Sequence, residues 1–230
     1  MAFATIYDAC VLYPAPLRDL LMHLAVTDMF RARWTAAIHA EWMRTAHRLR
    51  PDIPADNFER VRQLMDENVR DCLVTGYEGL IPAITLPDPD DRHVVAAAIR
   101  CGAQVIVTFN ERDFPIDTLA AFGIEAQHPD TFVSHLFDLD RVATLNAVKR
   151  HRASLRNPPF TAEQYIEKIR DQGLPIVASI LQEEMETSFR SAVKNNINRS
   201  TENPSSRYFC NADTRFSRPR SKLPTRRLRK

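Results

Sequence analysis

The stretch LPDPDDRHVVAAAIRCGAQVIVTFNERDFP, residues 86–115, decides the fold. Pro87 and Pro89 disfavour helix and the apolar run Val94–Ile99 favours it, so the sequence predicts a helix that begins at the acidic cluster of residues 88–91. Gly102 is typical of a helix end. The run 104–108 is β-branched and almost continuously apolar, which predicts a buried strand. Acidic residues therefore stand at a helix start and again just past a strand end.

These two acidic segments form a candidate metal site. The first contains Asp88, Asp90 and Asp91, and the second contains Asn110, Glu111 and Asp113. In an open α/β sheet, the carboxyl ends of strands and the adjoining helix starts line the crevice in which ligands bind. The simpler interpretation is that Asp90 or Asp91 caps the helix and complements its dipole. A cap requires one aspartate, however, and three stand within four residues.

Length and composition favour a globular protein with one domain and an appendage. The chain has 230 residues, of which 44% are hydrophobic and 26% charged. Its apolar runs are too short to span a bilayer, and its first residues lack the pattern of a secretory signal, so the sequence predicts a cytoplasmic protein without a membrane segment. Four scattered cysteines form no zinc motif, and we expect them reduced, with Cys10 and Cys101 as small apolar core residues.

The charge of the chain is strongly asymmetric. Residues 188–230 contain twelve Lys or Arg and two Asp or Glu, which gives this tail about +10 and the rest of the chain about −8. The tail lacks any apolar period, so we predict disorder. Contact with RNA phosphates is one interpretation of its charge. The other is that it is an appendage without function, altered by read-through or cloning.

Two further acids lie on predicted elements before residue 86. Residues 3–7 predict a first, central strand that ends at Asp8, an acid with apolar neighbours on both sides. Burying such an acid is costly unless it is paired or bound to a metal, and the alternative is a solvated loop position. Thr35 predicts the cap of a helix over 36–49. Glu41 lies beside the inward stripe of that helix and, taken alone, is typical of a solvated helix acid.

Strands and helices alternate through the first part of the chain. We interpret residues 30–34 as an extended link, 73–74 and then 81–84 as a loop and short strand, and 124–126 as an edge strand. This alternation predicts a three-layer α/β/α sandwich with a mostly parallel sheet, followed by C-terminal helices. One of these helices opens with a capping box at Thr161 and Gln164. The predicted domains are an α/β domain over 1–130, a helical extension over 131–187 and the basic tail over 188–230.

Three local motifs resemble the PIN-domain family, in particular the VapC-type toxins of bacterial toxin–antitoxin pairs. They are YDACVLYP at 7–14, DPDDRHVVAAAI at 88–99 and VIVTFNERDFP at 105–115. The resemblance covers about residues 5–132, and RNPPFTAEQYI at 156–166 resembles the helical extension of one branch of the family. It implies a ribonuclease toxin that is restrained by a small antitoxin protein and that forms homodimers.

The resemblance assigns the family's acids to particular residues. Asp8 matches the first-strand aspartate, and Asp91 matches the helix-start aspartate because small helix residues follow it at the family's spacing. Glu41 matches the helix glutamate. Many relatives have a T-x-D arrangement for the fourth acid, where Thr108-Phe109-Asn110 here supplies an amide, so Asp113 must substitute. The residue after Asp8 is alanine, where many relatives have a hydroxyl.

Phosphodiester cleavage requires such a set of acids for independent reasons. A metal neutralises the non-bridging oxygens and activates a water, and Mg²⁺ or Mn²⁺ prefers oxygen ligands. Crowded carboxylates repel one another until a divalent cation binds. We therefore predict Asp8, Asp91, Glu41 and Asp113 as catalytic residues and metal ligands. We predict that four polar side chains support the RNA substrate: Thr108, Asn110, Arg92 and Arg112. Arg44 is a further candidate for steering RNA.

Two other functions remain open from the sequence. A catalytically silent PIN-fold module that binds RNA or an antitoxin would account for the missing T-x-D aspartate. A phosphohydrolase with Asp8 as covalent nucleophile would require a second aspartate two residues later, where Cys10 stands.

Overall fold

The computed structural model describes residues 2–156 and 158–187. Residues 1–185 belong to one compact unit. The basic tail predicted for 188–230 lies outside the described residues, and so does Cys210. The predicted domain boundaries therefore stay predictions.

Four strands form a wholly parallel sheet. They are β1 (Phe3–Tyr7), β2 (Phe30–Arg33), β3 (Val105–Val107) and β4 (Glu125–Gln127), in the spatial order β2-β1-β3-β4. Strand β1 is central, as predicted from its apolar sequence. Its register pairs Tyr7 with Val107, so the residues after these two, Asp8 and Thr108, emerge side by side at the carboxyl edge of the sheet.

Helices surround this sheet. They are α1 (Ala9–Leu12), α2 (Ala15–Ala25), α3 (Ala36–Leu49), α4 (Ala55–Asn68), α5 (Arg92–Cys101), α6 (Ile116–Ala120), α7 (Pro129–Leu139), α8 (Arg141–Ser154) and α9 (Ala162–Asp171), and residues 175–187 are also helical. The predicted cap at Thr35 and the capping box at Thr161 are both present. Gly102 ends α5 with a positive φ of 64°. The predicted α/β/α architecture with C-terminal helices is confirmed.

An aromatic cluster joins the sheet to the C-terminal helices. Tyr7 of β1 stacks on Trp34 at 6.3 Å and meets Phe132 of α7 edge to face at 6.3 Å. Phe30 of β2 meets the same Phe132 ring at 5.2 Å. All four side chains are almost completely buried. Each such ring removes a large apolar area from water, so the helices after β4 and the sheet share one core.

Two local predictions were wrong. The segment predicted as an extended link contains strand β2, in which buried Phe30 and Ala32 alternate with more exposed arginines. This pattern of period two is typical of a half-buried strand. The two arginines made the segment look too polar for a strand in the sequence. The segment 81–84 contains no strand: residues 81–83 lie in the 3-10 turn Glu78–Ala83, and Ile84 follows it. Pro82 removes a backbone donor there, which disfavours a paired strand.

No helix among residues 2–156 and 158–187 is long and apolar enough to cross a membrane.

Candidate active site

Asp8 lies at the carboxyl end of β1 and is 3% exposed. The hydroxyl of Thr108, at the end of β3, donates a hydrogen bond of 2.7 Å to its Oδ2. The backbone N–H of Ala9 donates to Oδ1 at 2.6 Å. The parallel register brings the two strand ends together, so a side chain just past one strand orients the acid just past its neighbour.

Cys10 takes part in the same buried network. Its thiol donates to Asp8 Oδ2 at 3.0 Å, and its Sγ accepts the backbone N–H of Phe109 at 3.2 Å. Sγ also lies 3.3 Å from the Thr108 hydroxyl oxygen. Burial raises the pKa of this thiol, as does the negative charge of Asp8, so it is a neutral donor. Cys10 packs partly buried against the core, as predicted for a small apolar residue, but its thiol in addition ties the segment after β1 to the segment after β3.

Asp91 stands at the N-cap position of α5 but makes no capping hydrogen bond with its side chain. Asp88 acts as a cap three residues earlier, since its Oδ1 accepts the backbone N–H of Asp90 at 2.8 Å. The interpretation that Asp91 only caps the helix is therefore wrong. Its partly buried carboxylate is available to another partner.

The acids interact across the site. The pKa of Asp91 is raised to about 7 by burial first, and then by repulsion from Asp8, Asp88, Asp113 and Glu41. Burial also raises the pKa of Asp8, against the hydrogen bonds from Cys10 and Thr108 that lower it. Carboxylates from four separate parts of the chain thus lie close enough to repel one another, and this repulsion makes their simultaneous ionisation unfavourable.

Glu41 reaches the site from α3. Its Oε2 lies 3.6 Å from Nε2 of His93, which is in the first turn of α5. The Glu41 side chain is 38% exposed, and that of His93 is 17% exposed. Repulsion from Glu41 contributes to the raised pKa of both Asp8 and Asp91. The helix acid that looked solvated in the sequence therefore lies at the rim of the acidic cluster.

The remaining predicted residues surround this cluster less closely. Asp113 is partly buried in the 3-10 turn Glu111–Asp113 and affects Asp91 electrostatically. Asn110 is exposed and uses its backbone N–H, not its amide side chain, to donate to Thr108 Oγ1 at 3.0 Å. Among the predicted arginines, Arg92 donates to the carbonyl of Pro89 at 2.8 Å, whereas Arg44 and Arg112 are exposed.

Two known families match parts of this chain. The family described as "PIN domain" matches residues 4–112, a segment that includes Asp8, Glu41, Asp91 and Thr108. Residues 4–112 form a PIN domain. A second family, described as "VapC50 C-terminal domain", matches residues 129–183, which contain the helices after β4.

One curated relative of this chain is named "Putative ribonuclease VapC50", from Mycobacterium tuberculosis. It is 39% identical over 97 residues, which correspond to 42% of this chain and 57% of the relative. The match thus spans little more than half of that protein. No solved structure matches the chain.

The donor set of this PIN domain fits a hard divalent cation. Asp8 uses three of roughly four lone-pair positions for hydrogen bonds, so one carboxylate position remains for a ligand. A cation of charge +2 would relieve the repulsion that raises the pKa of Asp91. Within the described residues, however, no group of three or more His, Cys, Asp or Glu side chains is already arranged to hold a metal ion.

Two contributors to the PIN-domain site were missed in the sequence. Asp88, which the sequence placed in the first acidic segment, repels Asp91 as that segment predicted. His93 lies two residues after Asp91, and only the approach of α3 to α5 reveals its contact with Glu41. Cys10 lies two residues after Asp8, where its spacing alone carried no signal for a hydrogen bond.

Proposed function

We propose that the protein is an endoribonuclease that depends on Mg²⁺ or Mn²⁺ and is the toxin of a toxin–antitoxin pair. The observation that carries the proposal is the convergence of acids from separate elements: Asp8 after β1, Glu41 on α3 and Asp91 at the start of α5 lie close enough for their charges to raise the pKa of Asp91. Displaced pKa values of this kind are concentrated at functional sites. The PIN-domain match and the name of the relative support ribonuclease chemistry.

Asp8 and Asp91 would be the principal metal ligands, with Glu41 and Asp113 as further ligands or as acceptors for water. A bound divalent ion supplies charge neutralisation at the phosphate and lowers the pKa of a water molecule. Thr108 fixes the orientation of the Asp8 carboxylate through a bond of 2.7 Å, so Asp8 needs no reorganisation when it acts. Asp91 makes no capping bond, and its carboxylate is free to hold the other side of the site.

RNA would approach across the exposed rim of the site. Arg112 and Asn110 are exposed after β3, and Arg92 is partly exposed at the start of α5. Arginine binds phosphate oxygens with planar, bidentate geometry. These residues can hold the RNA backbone beside the acids, which would otherwise repel it.

The partners in this proposal are an RNA substrate, a cognate antitoxin protein and a second copy of the chain in a homodimer. The name of the matched C-terminal family and the likeness to a VapC relative support a toxin. Cys10, Cys72 and Cys101 are free thiols, which is consistent with a reducing cytoplasm.

A second candidate function is a PIN-fold module that binds RNA or an antitoxin without cleavage. Two observations favour it: the T-x-D position carries Asn110, and the described residues contain no preassembled group of three metal ligands. A phosphohydrolase with Asp8 as nucleophile is less well supported. The position that should carry its second acid holds Cys10, a neutral thiol bonded to Asp8.

The experiment compares the parent with Asp8→Asn and Asp91→Asn on labelled RNA, in Mn²⁺ and in EDTA. We expect cleavage by the parent in Mn²⁺, none in EDTA, and a loss of about 100-fold in each variant, equivalent to ~2.7 kcal/mol of transition-state stabilisation. Asp138→Asn is the matched control because Asp138 is an exposed aspartate on α7.

The outcomes separate the candidates. Cleavage that persists in EDTA and in Asp8→Asn contradicts the proposed mechanism. RNA binding without cleavage in Mn²⁺ favours the silent module. An equal loss of cleavage in Asp138→Asn would indicate a general loss of folded protein.

A further inference from the structure

The segment 108–110 connects the candidate active site to the C-terminal helices. On its inner side, Thr108 Oγ1 donates to Asp8 at 2.7 Å, and the backbone N–H of Phe109 donates to Cys10 Sγ at 3.2 Å. The backbone N–H of Asn110 donates to Thr108 Oγ1 at 3.0 Å. The position of this short segment therefore sets the position of the group that orients Asp8.

The Phe109 side chain contacts residues at the start and in the later part of the C-terminal helical region. Its ring packs edge to face on His128, which caps α7, with 5.1 Å between ring centroids. It also packs on the turn after α9, because a Cβ added at Gly173 would lie 3.4 Å from its Cε1. Gly173 has a φ of +79°, so glycine permits this turn beside the ring.

A buried aspartate fixes that turn against α7. Both oxygens of Asp130 accept backbone N–H groups at the start of the last helical segment, from Ile176 at 2.8 Å and from Val177 at 2.9 Å. Asp130 is 3% exposed, and Leu174 between the turn and this helix is completely buried. In addition, Nδ1 of His128 accepts the backbone N–H of Asp130 at 3.1 Å. The two surfaces that hold Phe109 are thus fixed to each other.

We propose that Phe109 is a positioning residue through which the C-terminal helices hold the Thr108–Asp8 pair in place. The contacts form one continuous series: Asp130 fixes the turn at Gly173, this turn and His128 hold the Phe109 ring, and the Phe109 backbone is bonded to Cys10. The helical extension is in this view part of the active site and not only a neighbouring module. The part of this inference that concerns metal binding and catalysis rests on the proposed function. The part that concerns the position of segment 108–110 does not.

The test uses the full chain with Phe109→Ala, Phe109→Leu and the matched control Phe122→Ala. Phe122 is a phenylalanine 46% exposed after α6. Three quantities are measured: the Kd for Mn²⁺ by titration, kcat and KM separately on RNA, and the rate of Cys10 alkylation by peptide mass spectrometry. Circular dichroism and Tm establish which variants are folded, and Phe109→Leu keeps a large apolar side chain in case Phe109→Ala fails to fold.

We expect Phe109→Ala to raise the Kd for Mn²⁺ about tenfold, the loss typical for residues that orient metal ligands. Its kcat should fall by about the same factor with KM changed less than about twofold, and Cys10 should be alkylated several-fold faster. Phe109→Leu should lie between this variant and the parent, and Phe122→Ala should match the parent. Unchanged Mn²⁺ affinity in a folded Phe109→Ala protein overturns the inference.

Failure of the proposed function gives a different result. A parent that neither binds Mn²⁺ nor cleaves RNA contradicts the proposed function, and the alkylation rate then decides the inference. In that case, faster alkylation of Cys10 in Phe109→Ala supports the positioning role, and an unchanged rate overturns it.

Discussion

The hydroxyl of Thr108 donates a 2.7 Å hydrogen bond to Oδ2 of Asp8, a residue 100 positions earlier in the chain. Both residues are buried at the carboxyl ends of adjacent parallel strands. A carboxylate at this depth is costly to ionise, and burial raises its pKa. The bond from Thr108 partly offsets this cost and gives the carboxylate one orientation.

Thr108→Val tests the importance of that bond. Valine has a similar shape but no donor, so the buried Asp8 oxygen loses a partner. We expect the free energy of unfolding to fall by about 1–3 kcal/mol and RNA cleavage to fall by about tenfold. Chemical denaturation and initial-rate measurements check these values. Thr118→Val, at a half-buried position in α6, is the control, and equal effects there would contradict a specific role for Thr108.

Asp91→Asn should stabilise the protein in the absence of metal. The folded-state pKa of about 7 lies above the usual value for aspartate, so the ionised group destabilises the fold as pH rises through 7. Three pKa units correspond to about 4 kcal/mol, which we reduce to about 1 kcal/mol because Asp91 is only half-buried. In a chain of this size, the Tm at pH 8 should rise by about 2–4 °C.

A measurement at low pH provides the control for this prediction. At pH 4.5 Asp91 is protonated in the folded state, and the Tm difference between parent and Asp91→Asn should become small. Thermal unfolding in EDTA at both pH values measures it. A parent that is more stable than Asp91→Asn at pH 8 in EDTA would contradict the electrostatic argument.

Mn²⁺ affinity should increase with pH across neutrality. A protonated Asp91 competes with the metal, and about one tenth of the group is ionised at pH 6 against about nine tenths at pH 8 for a pKa near 7. We therefore expect an increase in affinity of about tenfold over this range, measured by titration calorimetry. Asp91→Asn should bind Mn²⁺ weakly with a flatter profile. A pH-independent affinity in the parent would exclude Asp91 as a ligand that must lose a proton.

Glu41→Gln should shift the titration of the acidic cluster. Its charge repels both Asp8 and Asp91, so its removal should lower the pKa of both groups. The decrease of the Tm with rising pH in EDTA should then be smaller and should end at a lower pH than in the parent. Glu125→Gln, an exposed glutamate on β4, should leave the profile unchanged. A profile identical to that of the parent would place Glu41 outside the cluster in solution.

Asp130→Ala tests the connection between α7 and the last helical segment. The variant leaves the backbone N–H groups of Ile176 and Val177 without their acceptors. We expect a loss of about 2–4 kcal/mol in the free energy of unfolding. Asp130→Asn, which keeps one acceptor oxygen, should lose less. If both variants unfold at the same denaturant concentration as the parent, these bonds contribute nothing to stability.

The sequence predicted the elements of the fold well where local signals were strong. The capping box at Thr161 and the glycine at 102 fixed helix ends, because these signals act over a single turn. It failed for β2, whose pairing depends on a strand distant in sequence, and for the turn Glu78–Ala83, in which Pro82 disfavours a strand. Strand β2 forms because β1 pairs with it, and two arginines do not prevent this pairing.

The residues of the candidate site also differ in how far the sequence could predict them. Asp8 and Asp91 could be identified from their positions at a strand end and a helix start, since those positions converge in any parallel α/β sheet. The contact of His93 with Glu41 could not, because it depends on how closely α3 approaches α5. The hydrogen bond from Cys10 to Asp8 depends equally on a local backbone geometry that its spacing does not determine.

The sequence by itself thus determined the class of fold, the acidic residues and the uneven distribution of charge along the chain, because periodicity, capping and charge are local properties. Only the tertiary structure decided which of those acids lie close enough to repel one another. It also decided that Thr108, Cys10 and Phe109 link the acidic site to the C-terminal helices through hydrogen bonds and a ring contact. The physical reason is distance. Electrostatic repulsion and hydrogen bonding require atoms within a few ångströms of each other, and strand register and helix packing set those separations.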